Sequence, residues 1–413
     1  MSGDFDADAV VDLTARLVRL RTVHEGPGEV ETPAVDLLAG LMRGWGWRVT
    51  VVEAAPGRPS VIGVVEGDRG PGRTLMFEGH VDVVTEGDPS SWSFDPYAGD
   101  VVDGGAGRVV RGRGSADMKA GVAAMIHAAR AMQRGGFAGR IVVGVLADEE
   151  GMMLGAKRFA ADLVAGTVPG LPGPAAIDGV IVCEPEGGEV CPVAKGAIRL
   201  AITFTGAMAH GAMPWMGRNP LPAIGSLLAA IADTQHVLRV EHGDHPLLGP
   251  ICLTPTVLLA GDREQINVMP ATATLAVDIR TTPAVEHTAL IAQLTDTAIR
   301  IARGAGLTAQ VEVIDDRPPV DTPVDHPVVQ AMLAGHRAVT GVDAVIGGVP
   351  GATDGTILTR DAGLATVVYG PGGKWIAHQA DEYVEVADIL TCTRAYLAAA
   401  RHFLGGGPAD LVR

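Results

Sequence analysis

Two hydrophobic rhythms divide this chain. Over residues 6–21 and 32–46, Val, Leu and Ala recur at helical spacing and predict two amphipathic helices. Beyond them, apolar runs of strand length alternate with helical patterns. The strands "WRVTVVEA", "SVIGVVEG" and "TLMFEGHVDVV" lead to an Ala-rich helix, "MKAGVAAMIHAARAMQRGG". The strand "IVVGVLA", a helix at "GAKRFAADLVAG", a Pro/Gly-rich loop and the strand "VIVCEP" follow. Strands apolar along their whole length, with helices between them, predict an α/β domain with a mainly parallel sheet.

Around Lys195 the rhythm changes. "AIRLAITFTGAMAHG" alternates in polarity, a helix is expected over 220–234, and "ICLTPTVLLAG" and "ATATLAVDIRTT" read as paired strands. The helix "HTALIAQLTDTAIRIARGAG" and the strand "TAQVEVIDD" complete the set. Strand-helix-strand-strand-helix-strand is the order of a ferredoxin-like α+β sandwich. The Pro- and Asp-rich stretch "DDRPPVDTPVDHP" reads as a linker, after which the α/β pattern resumes with "PVVQAMLAGHRAVTG", "LATVVYGPGG" and a last helix over 386–404. The expected organisation is an α/β domain made of residues 1–193 and 314–413, with a small domain, 194–313, inserted in it.

Composition narrows the function classes. A chain of 413 residues exceeds what one hydrophobic core usually serves. Aromatics are only 4% of it, so Ala, Val and Leu must do most of the packing. The net charge of −16 argues against a nucleic-acid or anionic-membrane partner. No uninterrupted apolar run approaches the roughly 18 residues of a membrane span. The start, "MSGDFDADAVVDL", lacks the basic and apolar regions of a signal peptide. Cys183, Cys191, Cys252 and Cys392 form no CxxC pair and read as reduced thiols. The expectation is a cytoplasmic protein.

Candidate chemistry collects at strand ends. In "LMFEGHVDVV", His80 and Asp82 are two apart, so in extended chain they point the same way. A metal-binding histidine usually gives its other ring N–H to a carboxylate, and His-x-Asp supplies such a pair; a structural histidine fits the spacing equally well. "VRGRGSADMKAG" ends in Asp117 before a helix, as either a helix cap or a metal ligand on a glycine turn; its glycines match neither nucleotide-binding pattern. Glu184 in "VIVCEPEGG" and His378 in "GPGGKWIAHQADEYV" are singly no more than an exposed acid and a loop histidine. Together with Glu150, these residues offer two imidazoles and three carboxylates from separate strand-end loops, where open α/β sheets place their sites. Oxygen ligands with His suit Zn(II), with Mn(II) or Co(II) as substitutes. Three carboxylates suffice for one to bridge two ions.

The ordered set GHVDVV, GRGSADMKAG, ADEEG, CEPEG, GAMAHGAMPWMGRNP and AHQADEYV resembles the dinuclear-zinc peptidases and deacylases. That family includes acetylornithine deacetylase, succinyl-diaminopimelate desuccinylase, aminoacylase and glutamate carboxypeptidase, and the resemblance covers nearly the whole chain. It implies a zinc-hydrolase catalytic domain with an inserted lid and dimerisation domain, and two Zn(II) per chain. Asp117 would bridge them, His80 and Glu184 would hold one, and Glu150 and His378 the other. Asp82 would orient His80, and Glu149 would be the general base for a metal-bridging water. His210 would reach a neighbouring subunit's site in a homodimer and stabilise the oxyanion; a lone strand-end histidine is the plain alternative. Asn267 and Arg280 would contact substrate, against the plain alternative of an Arg280–Asp278 ion pair. Thr353 and Asp354 would shape the substrate pocket. Thr85 and the pair Pro96-Tyr97 depart from the family's usual residues.

On this resemblance the chain is a metal-dependent amidohydrolase cleaving an N-acyl amino acid. Within the family, Glu at the position of Glu184 accompanies deacylases and carboxypeptidases, and Asp accompanies aminopeptidases and dipeptidases. A dipeptidase or glutamate-type carboxypeptidase is the alternative, and a metal-dependent binding protein is the non-enzyme alternative. In "ADEEG", Glu149 and Glu150 would face opposite ways in a regular strand. Serving one site requires the backbone to turn, which Gly151 makes easy. Asp148 is left as a loop-stabilising acceptor.

Overall fold

A computed structural model describes residues 5–23, 28–105 and 107–405. The chain divides into two compact units. One holds the residues up to Val193, Thr322–Val349 and those from Thr353 onward; the other holds Ala194–Asp321 and Pro350–Ala352. The second unit runs to Asp321, beyond the 313 expected, because its last strand extends over Thr308–Arg317.

The first unit is α/β. Its main sheet runs in the order Arg48–Ala55, Arg58–Glu66, Arg140–Leu146, Thr74–His80, Gly179–Val182, Thr366–Val368, Val190–Ala194. The four strands from Arg140–Leu146 to Thr366–Val368 pair in parallel, and the flanking pairs are antiparallel. Alternation sends Leu75, Phe77, Ile141, Val143, Val145 and Ile181 into one core with residues of helices Ala7–Val18, Ala120–Gly135, Pro327–Thr340 and Val386–Gly405. Met76, Val142, Val180 and Val182 are equally buried on the opposite face. Each such aliphatic side chain contributes about 1.5–3 kcal/mol by leaving water.

Register then fixes where the site lies. His80 is level with Leu146, Glu78 with Val182, and Val368 with Val182. Parallel strands end on one edge of the sheet, so the segments following His80, Leu146, Val182 and Val368 emerge side by side.

The second unit is ferredoxin-like. Its four-stranded antiparallel sheet has the order Cys252–Ala260, Thr272–Thr281, Gly196–Thr205, Thr308–Arg317, with helices Leu221–His242 and His287–Gly304 packed on it. The first helix continues eight residues past the expected 234, because no breaker occurs before Gly243, which ends it at φ +67°. By length and composition alone this helix is long and apolar enough to cross a membrane. Its buried Ala223, Ile224, Leu227, Ile231 and Leu238 instead belong to the apolar core of this unit.

Candidate active site

The strand Thr74–His80 is wholly buried and delivers His80 to the sheet edge. The chain beyond it is stapled to an earlier segment. Val83 N–H donates to the Thr22 carbonyl at 2.9 Å, and the Thr22 hydroxyl donates to the Val81 carbonyl at 2.5 Å. This fixes Asp82, whose backbone carbonyl lies 3.0 Å from His80 Nδ1 and whose carboxylate lies 3.5 Å from it. The nearer orienting acceptor is therefore the main chain of Asp82. With the Nδ1 proton held there, Nε2 is the nitrogen that His80 turns to the site and can offer to a metal ion.

Facing His80 Nε2 are Glu184 Oε1 at 3.3 Å, Asp117 Oδ1 at 3.4 Å and Glu149 Oε2 at 3.9 Å. The other oxygen of Asp117 faces His378 Nε2 at 3.3 Å, which also lies 3.0 Å from Glu150 Oε1. Asp117 thus stands between two imidazoles, one per oxygen. His80, Asp117 and Glu184 form one cluster with donor atoms within 4.8 Å of one another, and Asp117, Glu150 and His378 form a second. Glu149 belongs to neither. Asp117 does not cap the following helix, Ala120–Gly135, whose N-terminus has no side-chain cap.

The acidic stretch after Ile141–Leu146 is held by partners that sequence reasoning missed. Asp82 accepts from the main-chain N–H groups of Glu149 at 3.3 Å and Glu150 at 3.1 Å, so one carboxylate both backs His80 and shapes the acidic turn. Asp148 ion-pairs with Arg58 at 2.7 Å, accepts from Met152 N–H at 3.0 Å and donates its own N–H to Glu31 at 3.1 Å. Arg58 also pairs with Glu31 through Nε at 2.7 and 2.9 Å, with both side chains buried. The turn itself comes from Asp148 at φ +70° and Met153 at φ +54°; Gly151, the expected hinge, is not left-handed. Asp148 tolerates this conformation because its carboxylate bonds locally.

Glu382 was missed as well, although it lies in the quoted "AHQADEYV". Its carboxylate accepts from the N–H groups of Gly114, Ala116 and Asp117 at 3.0, 2.9 and 3.2 Å, and from Arg113 Nη1 at 2.6 Å. It therefore fixes the non-helical turn that presents Asp117. Close backbone approaches set the remaining ligand. A Cβ on Gly121 would lie 2.1 Å from the Cys183 carbonyl oxygen, and one on Gly370 would lie 2.5 Å from that of Glu184.

The electrostatics call for cations. Burial raises Glu149 well above the ordinary carboxylate value, against the opposing influence of His80, with Glu184 and Glu150 adding to the rise. Burial and the neighbouring Asp117 push Glu184 up to about 8. Hydrogen bonds to Asp117 and Glu150 push His378 up to about 10. Burial opposes charging of His80, but Glu184, Asp117 and Asp82 outweigh it and raise its pKa well above the usual. His80 Nε2 is a buried atom without a hydrogen-bond partner. An orphaned imidazole nitrogen among carboxylates, each offering oxygen donors, fits divalent metal ions.

Other expected residues belong to neither ligand cluster. Thr353 and Asp354 are buried; Thr353 caps helix Asp354–Ala362 by accepting from Gly355 N–H at 3.2 Å. Asp354 acts on Glu78 and Glu149, raising both behind burial. Within the second unit, His210 and Asn267 come together: Ala209–His210 pairs with Val268–Met269, and Gly211 N–H donates to the Asn267 carbonyl at 2.7 Å. His210 Nδ1 accepts from Ala212 N–H at 3.0 Å, which leaves the ring proton on Nε2. Arg280 is paired with Asp278 at 2.7 and 3.2 Å, the plain alternative foreseen for it.

The model of peptidase family M20/M25/M40 matches residues 76–402. Succinyl-diaminopimelate desuccinylase of Rhodospirillum centenum is 29% identical over 383 residues, covering 90% of this chain and 92% of that protein. Two solved structures share the fold. An M20 family metallo-carboxypeptidase from Sulfolobus solfataricus has a TM-score of 0.76 at 16% identity, over 95% of this chain and 99% of that one. A dinuclear metal-binding peptidase of the M20 family from Bacillus subtilis has a TM-score of 0.68 at 16% identity, over 95% and 97%.

Proposed function

This chain belongs to peptidase family M20/M25/M40, metal-dependent hydrolases of amide and peptide bonds, and on that premise we propose that it cleaves N-acyl amino acids. N-succinyl substrates are included, after the desuccinylase relative. The observation that carries the proposal is Glu149, a buried acid within 3.9 Å of His80 that belongs to neither ligand cluster. A protein that only binds metal needs the ligands and no such acid.

We assign two Zn(II) per chain, with Co(II) or Mn(II) as substitutes. His80, Asp117 and Glu184 would hold one, and Asp117, Glu150 and His378 would hold the other. Such ions supply Lewis acidity, polarising an amide carbonyl and lowering the pKa of a water. Glu149 takes the proton of the attacking water and passes it to the departing amine nitrogen. Its raised affinity for a proton lets it hold one between the two events. Asp82 keeps both His80 and the Glu149–Glu150 backbone in place for this exchange.

His210 acts in trans. Its Nε2–H is the donor an oxyanion requires, and a second copy of the chain brings it. The inserted unit supports a homodimer: Cys252–Ala260 is an edge strand with Val257, Leu258 and Leu259 exposed. Arg280 uses its Nε–Nη2 edge on Asp278, leaving Nη1 to take a substrate carboxylate, and Asn267, beside His210, makes a separate substrate contact. Thr353 and Asp354, both buried at the start of helix Asp354–Ala362, shape the substrate pocket. The free thiols of Cys183, Cys191, Cys252 and Cys392 suit a cytoplasmic setting.

The test is a panel of N-succinyl, N-acetyl and N-formyl amino acids against dipeptides, run with zinc, cobalt and manganese. Turnover of N-acyl amino acids above dipeptides supports the proposal. Dipeptide cleavage with N-acyl substrates untouched converts it to a dipeptidase. Light scattering of the loaded chain tests the dimer.

A further inference from the structure

Two of the loops that carry ligands are joined by an ion pair that the reaction does not use. Glu184 lies in the segment after strand Gly179–Val182, and His378 in the segment after Thr366–Val368. These segments meet backbone to backbone: Gly187 N–H donates to the Gly372 carbonyl at 2.8 Å, and a Cβ on Gly370 would lie 2.3 Å from the Cys183 oxygen. Lys374, four residues before His378, spans the junction. Its Nζ lies 2.9 Å from Glu186 Oε2 and 3.0 Å from Glu189 Oε2.

The pair is partly enclosed. Glu186 is buried, and its Oε2 also accepts from Cys191 Sγ at 3.6 Å. Glu186, Glu189 and Cys191 are close enough together to hold a metal ion, but the Lys374 ammonium already engages both carboxylates. Burial works against the charge on Lys374; its hydrogen bonds to Glu186 and Glu189 overcome this and raise its pKa, so it stays cationic.

His378 is the ligand that most needs such a tether. Its side chain is 52% exposed, against 1% for His80, 15% for Asp117 and 9% each for Glu150 and Glu184. Little packing orders it, and its backbone is left-handed at φ +65°, a conformation unfavourable to a non-glycine residue. We propose that Lys374 is a positioning residue for His378: paired with Glu186 and Glu189, it locks the His378 loop to the Glu184 loop and so sets the spacing between the two metal sites. This rests on the two-ion reading above.

The test follows zinc release from the loaded full-length chain into a chromophoric chelator. Lys374→Met is expected to weaken one of two zinc equivalents about 10–100-fold while the other keeps its wild-type affinity. Lys374→Arg is expected to retain both. Glu186→Gln should reproduce the selective loss, and the Lys374→Met/Glu186→Gln double variant should be no worse than either single variant. Lys374→Met holding both equivalents as the wild type does would overturn the clamp, and so would an equal weakening of both. A wild-type chain that takes up only one equivalent would overturn the two-ion reading itself, and the clamp with it.

Discussion

Glu382→Gln tests whether the site is organised from behind by a carboxylate that meets no substrate. The change preserves shape and removes one charge and one acceptor. Oε1 serves the Ala116 and Asp117 N–H groups, and Oε2 serves Gly114 N–H and Arg113. A glutamine keeps one of these pairs and turns an NH2 group toward the other two donors. Retaining the Asp117 contact strands Arg113, whose side chain is 3% exposed. Breaking a buried ion pair by removing one partner costs about 3–5 kcal/mol. Keeping Arg113 instead strands two main-chain donors at about 1–3 kcal/mol each and releases the turn that presents Asp117. Either way the metal-free chain should lose about 3–5 kcal/mol, read as a midpoint shift in urea unfolding at unchanged slope. Zinc uptake should weaken as well, because Asp117 serves both clusters. A variant within about 1 kcal/mol of wild type, with zinc binding intact, would show that Glu382 does not organise the Asp117 turn.

Three further outcomes follow from the same contacts. Burial lowers His127 to about 4, so below pH 6.5 the unfolded chain takes up a proton that the folded chain refuses. Stability should fall by about 3 kcal/mol between pH 6.5 and 4, and His127→Leu should flatten this limb in pH-dependent unfolding; an unchanged limb contradicts it. Gly121→Ala places a methyl 2.1 Å from the Cys183 carbonyl oxygen, next to Glu184. A shift of about 1 Å there should lower kcat/KM about 100-fold with the fold retained by circular dichroism, and full activity would show that the helix start yields freely. Arg58→Met leaves Glu31 and Asp148 buried without their cation and should destabilise the chain by about 3 kcal/mol or more in thermal unfolding, a marginal change being the adverse result.

Much of this arrangement is legible in the chain because the signals are local. Apolar strands such as Ile141–Leu146 announce a buried parallel sheet, and parallel strands must end together, so acids and histidines just past those ends converge. The ferredoxin-like order of the inserted unit is legible for the same reason. What escapes reading is pairing at long range. Nothing near Arg58 points to Glu31 or Asp148, and nothing near Arg113 points to Glu382 across 269 positions. Conformational freedom points to Gly151 for the acidic turn, whereas the Arg58 ion pair, the Met152 N–H and the bond that Asp148 N–H donates to Glu31 hold Asp148 in the left-handed region instead. Local preference yields where tertiary contacts favour another residue. Arg280 shows the converse: a neighbour two positions away on the same strand was a visible partner and is the one it takes.

The proposed mechanism divides the labour between two adjacent acids, Glu150 as ligand and Glu149 as proton carrier. The most direct measurement is paired metal analysis and N-acyl amino acid turnover for wild type and Glu149→Gln, both purified with zinc. Equal zinc content and a loss of turnover of at least about 100-fold are expected in the variant. A variant that keeps its zinc and its turnover would contradict it.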